Sequence, residues 1–192
     1  AMDAIIHKSH DKTRHLATLC RKTLHGCRYE LATRVPLIIS VPGQARTGTK
    51  TDALVELVDV YPTLVDVCGL KTPASLEGES LEPILNDPTQ PGKQAVFSQY
   101  PRARKANRHH GHGQIMGYAV RTDRFRYVEW REWKTDKIVA RELYDHDKDP
   151  METRNVVEAP DFSKDISRLS KLLEQSTRRH SMGPDIPTNT LP

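Results

Sequence analysis

The sequence predicts an α/β protein, with an α/β body followed by a small antiparallel sheet packed with a terminal helix. Three observations carry that prediction. Val35, Leu37, Ile38, Ile39 and Val41 form an apolar run of strand length, rich in β-branched residues and ended by Pro42-Gly43. Positions 54, 57, 58, 61, 64, 65 and 68 (Leu, Leu, Val, Tyr, Leu, Val, Cys) recur at helical spacing. Gly117–Thr122 and Phe125–Trp130 alternate, are rich in aromatic and β-branched residues, and are joined by a short polar link, as in a β-hairpin.

The elements follow in chain order. A run as apolar as 35–41 does not alternate, which argues for burial on both faces, as in a sheet covered by helices. A second short strand is placed at 53–57. Pro62 would break a helix interior but is harmless in a first turn, so the helix starts at Asp59, whose carboxylate can cap free amides. Gly69 ends it. Leu81–Leu85 is at most one helical turn, and 95–99 is a strand. Residues 100–114 form a basic loop, long enough to suspect function. A third strand of the antiparallel sheet lies at 141–144, before the turn-rich stretch 145–150. After Pro160, Phe162, Ile166, Leu169 and Leu173 share one helical face as far as about residue 178. Met182-Gly-Pro184 stops that helix, and the tail beyond is loose.

At 192 residues the chain can hold one domain with a real core. Its net charge is +4, and the whole excess lies in residues 1–28, where six basic residues face Asp3 and Asp11. The remainder is neutral, so the body carries no nucleic-acid signal despite a sequence pI near 9. Cys20, Cys27 and Cys68 are too few and too irregular for a disulfide framework. No apolar stretch reaches the length of a membrane span, and residues 1–28 lack the apolar core of a signal peptide.

Two stretches invite chemistry. Asp145, Asp147 and Asp149 suggest a calcium loop, but Pro150 and Val156 occupy the positions where such a loop needs glycine and glutamate. A turn whose Asp side chains bond the local backbone is the better account. His109, His110 and His112, with Arg102, Arg104, Lys105 and Arg108, form the densest cationic patch of the body. That patch is either a mobile solvated loop or a device for capturing sulfate, phosphate or carboxylate, which suit arginine forks. Nucleophile-elbow, phosphate-loop and dinucleotide-binding patterns are missing.

Tyr29–Gly43, Leu54–Gly69 and Leu76–Leu81 closely resemble sulfatases of the alkaline-phosphatase-like superfamily. Phe97-Ser-Gln-Tyr-Pro-Arg102, Met116–Thr122 and Arg126-Tyr127 are similar to the iduronate-2-sulfatase-like branch, and Glu142–Asp149 fits the family's closing strand and turn. The resemblance is collinear over roughly 29–157. It implies the C-terminal part of an enzyme that hydrolyses sulfate esters of glycosaminoglycan-type sugars, using calcium and a formylglycine nucleophile. The fold it implies is the remnant of an alkaline-phosphatase-like sheet over 29–94, an antiparallel sheet plus helix over 95–180, a basic leader at 1–28 and a loose tail at 181–192. Members of this family are usually exported or lysosomal.

None of the three cysteines begins the family's Cys/Ser-x-Pro/Ala-x-Arg motif, and the paired metal aspartates are missing. Calcium and formylglycine therefore find no support in the residues of this chain. The expected catalytic set is empty apart from Lys22, which could stand at the family's active-site lysine only with an insertion. No metal ligands are expected. Tyr100, Arg102, Arg104 and His110 are the expected contacts to sulfated sugar. Two functions follow: a sulfatase fragment that is inactive without a separate N-terminal half, or a non-enzymatic module that binds anionic sugars through the Arg102–His112 loop. The strand 35–41 is expected to be an exposed, aggregation-prone edge.

Overall fold

A computed structural model describes residues 29–43, 48–73, 75–101 and 115–181, with side chains of the last helix described to residue 177. Four antiparallel strands form its sheet in the order β1-β2-β3-β4: β1 (Val96–Pro101), β2 (Ile115–Arg121), β3 (Phe125–Glu132) and β4 (Ile138–Asp145). The hairpin register sets Val120 opposite Tyr127 and Ala119 opposite Val128, and Leu143 completes the Tyr127 row from β4. Successive side chains of a strand point to opposite faces, so this register sorts the sheet into two faces.

One face is covered by α4 (Ser163–Ser181), entered through a 3-10 turn at Pro160–Phe162. Val120, Phe125, Tyr127, Leu143, Leu169 and Leu173 are buried together, and Phe162 and Ile166 pack against them. The Phe125 and Phe162 rings meet edge-to-face at 5.9 Å. The helical stripe of the sequence is thus the core face of α4, and each fully buried leucine contributes about 1.5–3 kcal/mol. Polar groups inside this layer are all partnered. Glu129 accepts from Ser170 Oγ (2.6 Å), Tyr127 Oη (2.8 Å) and Arg131 Nη2 (2.6 Å). Burial pushes the Glu129 carboxyl up, but the hydrogen bonds from Ser170, Arg131 and Tyr127 outweigh it and leave the group below its ordinary range.

The first half departs from expectation in two places. Residues 34–41 form no strand, because a strand is defined by its neighbours and no described segment pairs with them. Nor are both faces buried: Leu37, Ile39 and Val41 are half-buried, while Ile38 and Ser40 are exposed. The predicted strand 53–57 is also missing; a 3-10 turn at Leu57–Asp59 leads instead straight into a helix. The short helices here are α1 (Glu30–Thr33), α2 (Val60–Val67) and α3 (Glu82–Asn86). Pro62 falls in the first turn of α2, where its missing N–H costs nothing. Gly69, at φ +62°, ends the helix as expected: Leu70 N–H bonds Val65 O and Gly69 N–H bonds Asp66 O.

The 145–150 stretch is the predicted turn. Asp145 accepts from Arg124 Nε (2.9 Å) and Nη2 (2.8 Å) and from the Asp147 amide (3.2 Å). The Arg124 hydrogen bond holds the Asp145 carboxyl below its usual range.

Candidate functional site

Of the predicted sugar contacts, Tyr100 falls among the described residues, at one end of the sheet. Tyr100 lies next to the end of β1, opposite Gly117, and is 42% exposed. Pro101 and Ile115 are the described roots of the basic loop, and the β3–β4 turn lies at the same end, since Ile115 pairs with Glu132. Arg102, Arg104, His110 and Lys22 lie outside the described residues.

At the opposite end, the face of the sheet away from α4 carries a charge cluster that the sequence did not reveal. Arg121 on β2 and Arg126 on β3 are cross-strand partners, and both reach Glu30 of α1, at 3.2 and 2.6 Å. Arg126 Nε also meets Glu152 at 2.5 Å, His146 Nε2 lies 2.8 Å from the same oxygen, and the Glu30 amide donates to the other Glu152 oxygen at 2.6 Å. Tyr29 packs edge-to-face on Tyr144 at 5.7 Å. Burial pushes Glu30 up, yet the Arg126 hydrogen bond and the charges of Arg121 and Arg126 prevail, and its carboxyl sits below the ordinary value. Glu152 takes a left-handed backbone (φ +55°), a strained conformation for a side-chain-bearing residue, with its carboxylate fully buried under Arg126.

Glu30, His146 and Glu152 place one ligand atom each within 4.8 Å of one another, and they are the group among the described residues with metal-ligand chemistry. Calcium takes six to eight oxygen ligands and competes poorly for carboxylates already engaged. Here Arg126 bonds both carboxylates, and a guanidinium cannot give up its charge. The group does not fit the calcium that the family implies. It is an ion cluster fastening α1 to the sheet, through pairs separated by about a hundred residues of sequence.

A second polar hub holds the motif 54–69. Asp59 is completely buried and accepts from the amides of Glu56 (2.8 Å) and Glu79 (2.9 Å) and from Lys93 Nζ (2.6 Å). It therefore joins distant segments and makes no side-chain cap on α2, contrary to its predicted capping role. Glu56 accepts from Lys93 Nζ (2.8 Å) and from the Phe97 amide (2.7 Å), so it also covers part of the β1 edge. Thr63 Oγ1 donates to Asp59 O and accepts from the Leu81 amide. A Cβ on Gly78 would strike the Val58 carbonyl, and one on Gly92 would lie 2.6 Å from Leu54 N. The acidic, threonine and glycine positions of this motif are therefore structural joints.

A family model described as N-sulphoglucosamine sulphohydrolase, C-terminal, matches residues 25–179. The chain belongs to this sulphohydrolase C-terminal family. Among curated relatives, it is 29% identical over 158 residues to an N-acetylglucosamine-6-O-sulfatase of Bacteroides thetaiotaomicron, covering 79% of this chain and 26% of that protein. It is 30% identical over 160 residues to a Delta 4,5-hexuronate-2-O-sulfatase of the same organism, covering 82% and 31%. Among solved structures, one in complex with its substrate D-glucosamine-2-N,6-O-disulfate superposes with TM-score 0.62 at 26% identity, over 76% of this chain and 28% of that one. The phosphonate monoester hydrolase of Agrobacterium radiobacter superposes equally well, with TM-score 0.62 at 28% identity, over 76% and 29%. The chain thus spans roughly a quarter to a third of the proteins it matches. The sulphohydrolase-family fold is a mixed helix–sheet unit with a four-stranded antiparallel sheet and a C-terminal helix, and its structural neighbours are alkaline-phosphatase-like sulfatases.

Proposed function

We propose that this chain is the C-terminal part of a sulfatase acting on sulfate esters of glycosaminoglycan-type sugars, and that alone it does not turn them over. The observation that carries the proposal is the exposed apolar face that runs from the 3-10 turn into α2. Leu57 and Val58 of the 3-10 turn and Tyr61 and Leu64 of α2 are 50–72% exposed, while Val65 of the same apolar stripe is buried. The inward side is the Asp59–Thr63 hub. An apolar face this continuous is a docking surface. Its partner is the α/β body that carries the nucleophile and calcium in the intact enzyme, for which this chain's residues supply neither the Cys/Ser-x-Pro/Ala-x-Arg motif nor a fitting ligand set. In that arrangement this chain fixes the joint, and Tyr100, Arg102, Arg104 and His110 help to shape the sugar-sulfate pocket. Calcium and formylglycine, which the family implies, would be held by that body and would supply charge neutralisation of the sulfate and the nucleophile there.

The test is a sulfatase assay of the chain alone, then of the chain fused behind the N-terminal portion of the N-acetylglucosamine-6-O-sulfatase. No turnover of a sulfated disaccharide alone, and turnover in the fusion that Leu64→Asp with Tyr61→Asp abolishes, are the expected results. Turnover by the isolated chain contradicts the proposal.

A further inference from the structure

The β3–β4 turn presents one feature that neither the core nor the joint uses. Trp133 is 59% exposed, whereas Trp130, three residues earlier, is buried and donates to Glu142 at 2.8 Å. The turn that carries Trp133 is held by an unusual number of bonds. Glu132 N–H bonds Lys137 O, Asp136 N–H bonds Glu132 O, and Thr135 Oγ1 donates to the Glu132 carboxylate at 2.6 Å. Arg131 Nη1 grips both oxygens of Asp136 (3.2 and 3.1 Å), which itself sits at φ +55°. Arg131 is anchored on buried Glu129, and Glu129 on Ser170 of α4. A bond chain thus runs from the core helix to the turn whose backbone presents a large apolar ring to water.

Charge gives the platform a direction. The two acidic side chains of the turn are hydrogen-bonded within it, Glu132 by Thr135 and Asp136 by Arg131. Lys134 and Lys137 are exposed, and their ammonium groups make no ion pair among the described residues. The turn therefore shows an exposed indole flanked by two lysines without an ion pair among the described residues, at the sheet end where Tyr100 lies. An indole face stacks on the C–H face of a pyranose ring, and ammonium groups attract its anionic substituents; a rigid ring loses little entropy in doing so.

We propose that Trp133, Lys134 and Lys137 form a subsite for a sulfated sugar unit next to the one that is hydrolysed, so that the protein prefers oligosaccharides to single sugars. The subsite rests on the glycosaminoglycan reading above. It is tested on the full 192-residue chain by titrating a heparin-derived tetrasaccharide and its desulfated counterpart, followed by tryptophan fluorescence and calorimetry. Trp133→Ala is expected to weaken sulfated-tetrasaccharide binding about tenfold, the equivalent of about 1.4 kcal/mol. Lys134→Ala with Lys137→Ala should weaken it by a similar factor and flatten its salt dependence, and Trp133→Phe should retain most of the affinity. Unchanged thermal unfolding of each variant separates binding from folding. If the wild-type chain binds neither sugar, or binds the sulfated one no differently from Trp133→Ala, the subsite is overturned. Loss of binding only in Arg102→Ala with Arg104→Ala would overturn the subsite while leaving the sulfatase reading intact. Binding through Trp133 together with an inactive fusion enzyme would leave a sulfated-sugar-binding surface but overturn its assignment as a subsite beside a hydrolysed unit.

Discussion

Residues 29–70 and residues 96–177 use the same kinds of side chain to opposite ends. Of the thirteen large hydrophobic residues exposed among the described residues, nine lie in 29–70, including Val35, Ile38, Leu57 and Leu64. In 96–177 the hydrophobic residues turn inward, and Val120, Tyr127, Leu143 and Leu169 have no measurable exposure. The difference lies in what holds each region. The sheet and α4 are held by their own apolar contact. The first region is held by polar joints, Glu30 on Arg121 and Arg126, and Asp59 on Lys93 and Glu79, while its apolar surface faces out. A region so built has its position specified by hydrogen bonds and its stability left to another surface.

The largest break of this contrast is at the ion cluster. Arg126→Ala leaves Glu152 buried without its guanidinium, and losing one partner of a buried pair costs about 3–5 kcal/mol. Chemical denaturation should show a loss of that size, and proteolysis should open the chain near Arg34 first. Leu173→Ala attacks the other region through its core and should cost about 2–5 kcal/mol, with the whole sheet losing protection together. Acid loosens both regions, because Glu30 in the first and Glu129 in the second are each held below their ordinary range. Glu30 lies below the ordinary value of 4.5, so its contribution is present above that pH and lost as pH falls through its folded value. As pH falls below 4.5, the amides of α1 beside Glu30 and those of α4 beside Ser170 should both gain exchange. The smallest effect belongs to the exposed stripe: Leu64→Ser should change stability by no more than about 0.5 kcal/mol while reducing self-association at high concentration. A loss of several kcal/mol there would show that α2 is already packed on a core.

Legibility in the sequence follows the same division. The hairpin, the third strand, α4 and the 145–150 turn were readable because their signals are local: alternation, helical spacing, and Asp side chains bonding nearby amides. Residues 35–41 misled because apolar composition reports a wish for burial, and the ladder partners that would make a strand lie in no described segment. Helical spacing over 54–68 correctly marked α2 and its end at Gly69, but which of its side chains are exposed depends on Asp59 and Thr63, whose partners lie eighteen to thirty-four residues away. Glu30 was invisible for a stronger form of that reason, since it meets Arg126 and Glu152 across about a hundred residues. Their signal was present only as charged residues in otherwise apolar surroundings, such as Arg126 between Phe125 and Tyr127.

Amide hydrogen exchange on the monomeric chain tests the contrast most directly. Leu37–Val41 should exchange fast, at the rate of unpaired backbone, while Tyr127, Val128 and Leu143 exchange only through global opening of the sheet. Strong protection of Leu37–Val41 in a verified monomer would contradict the account, because it would mean that the first region already has the neighbours it is argued to need from elsewhere.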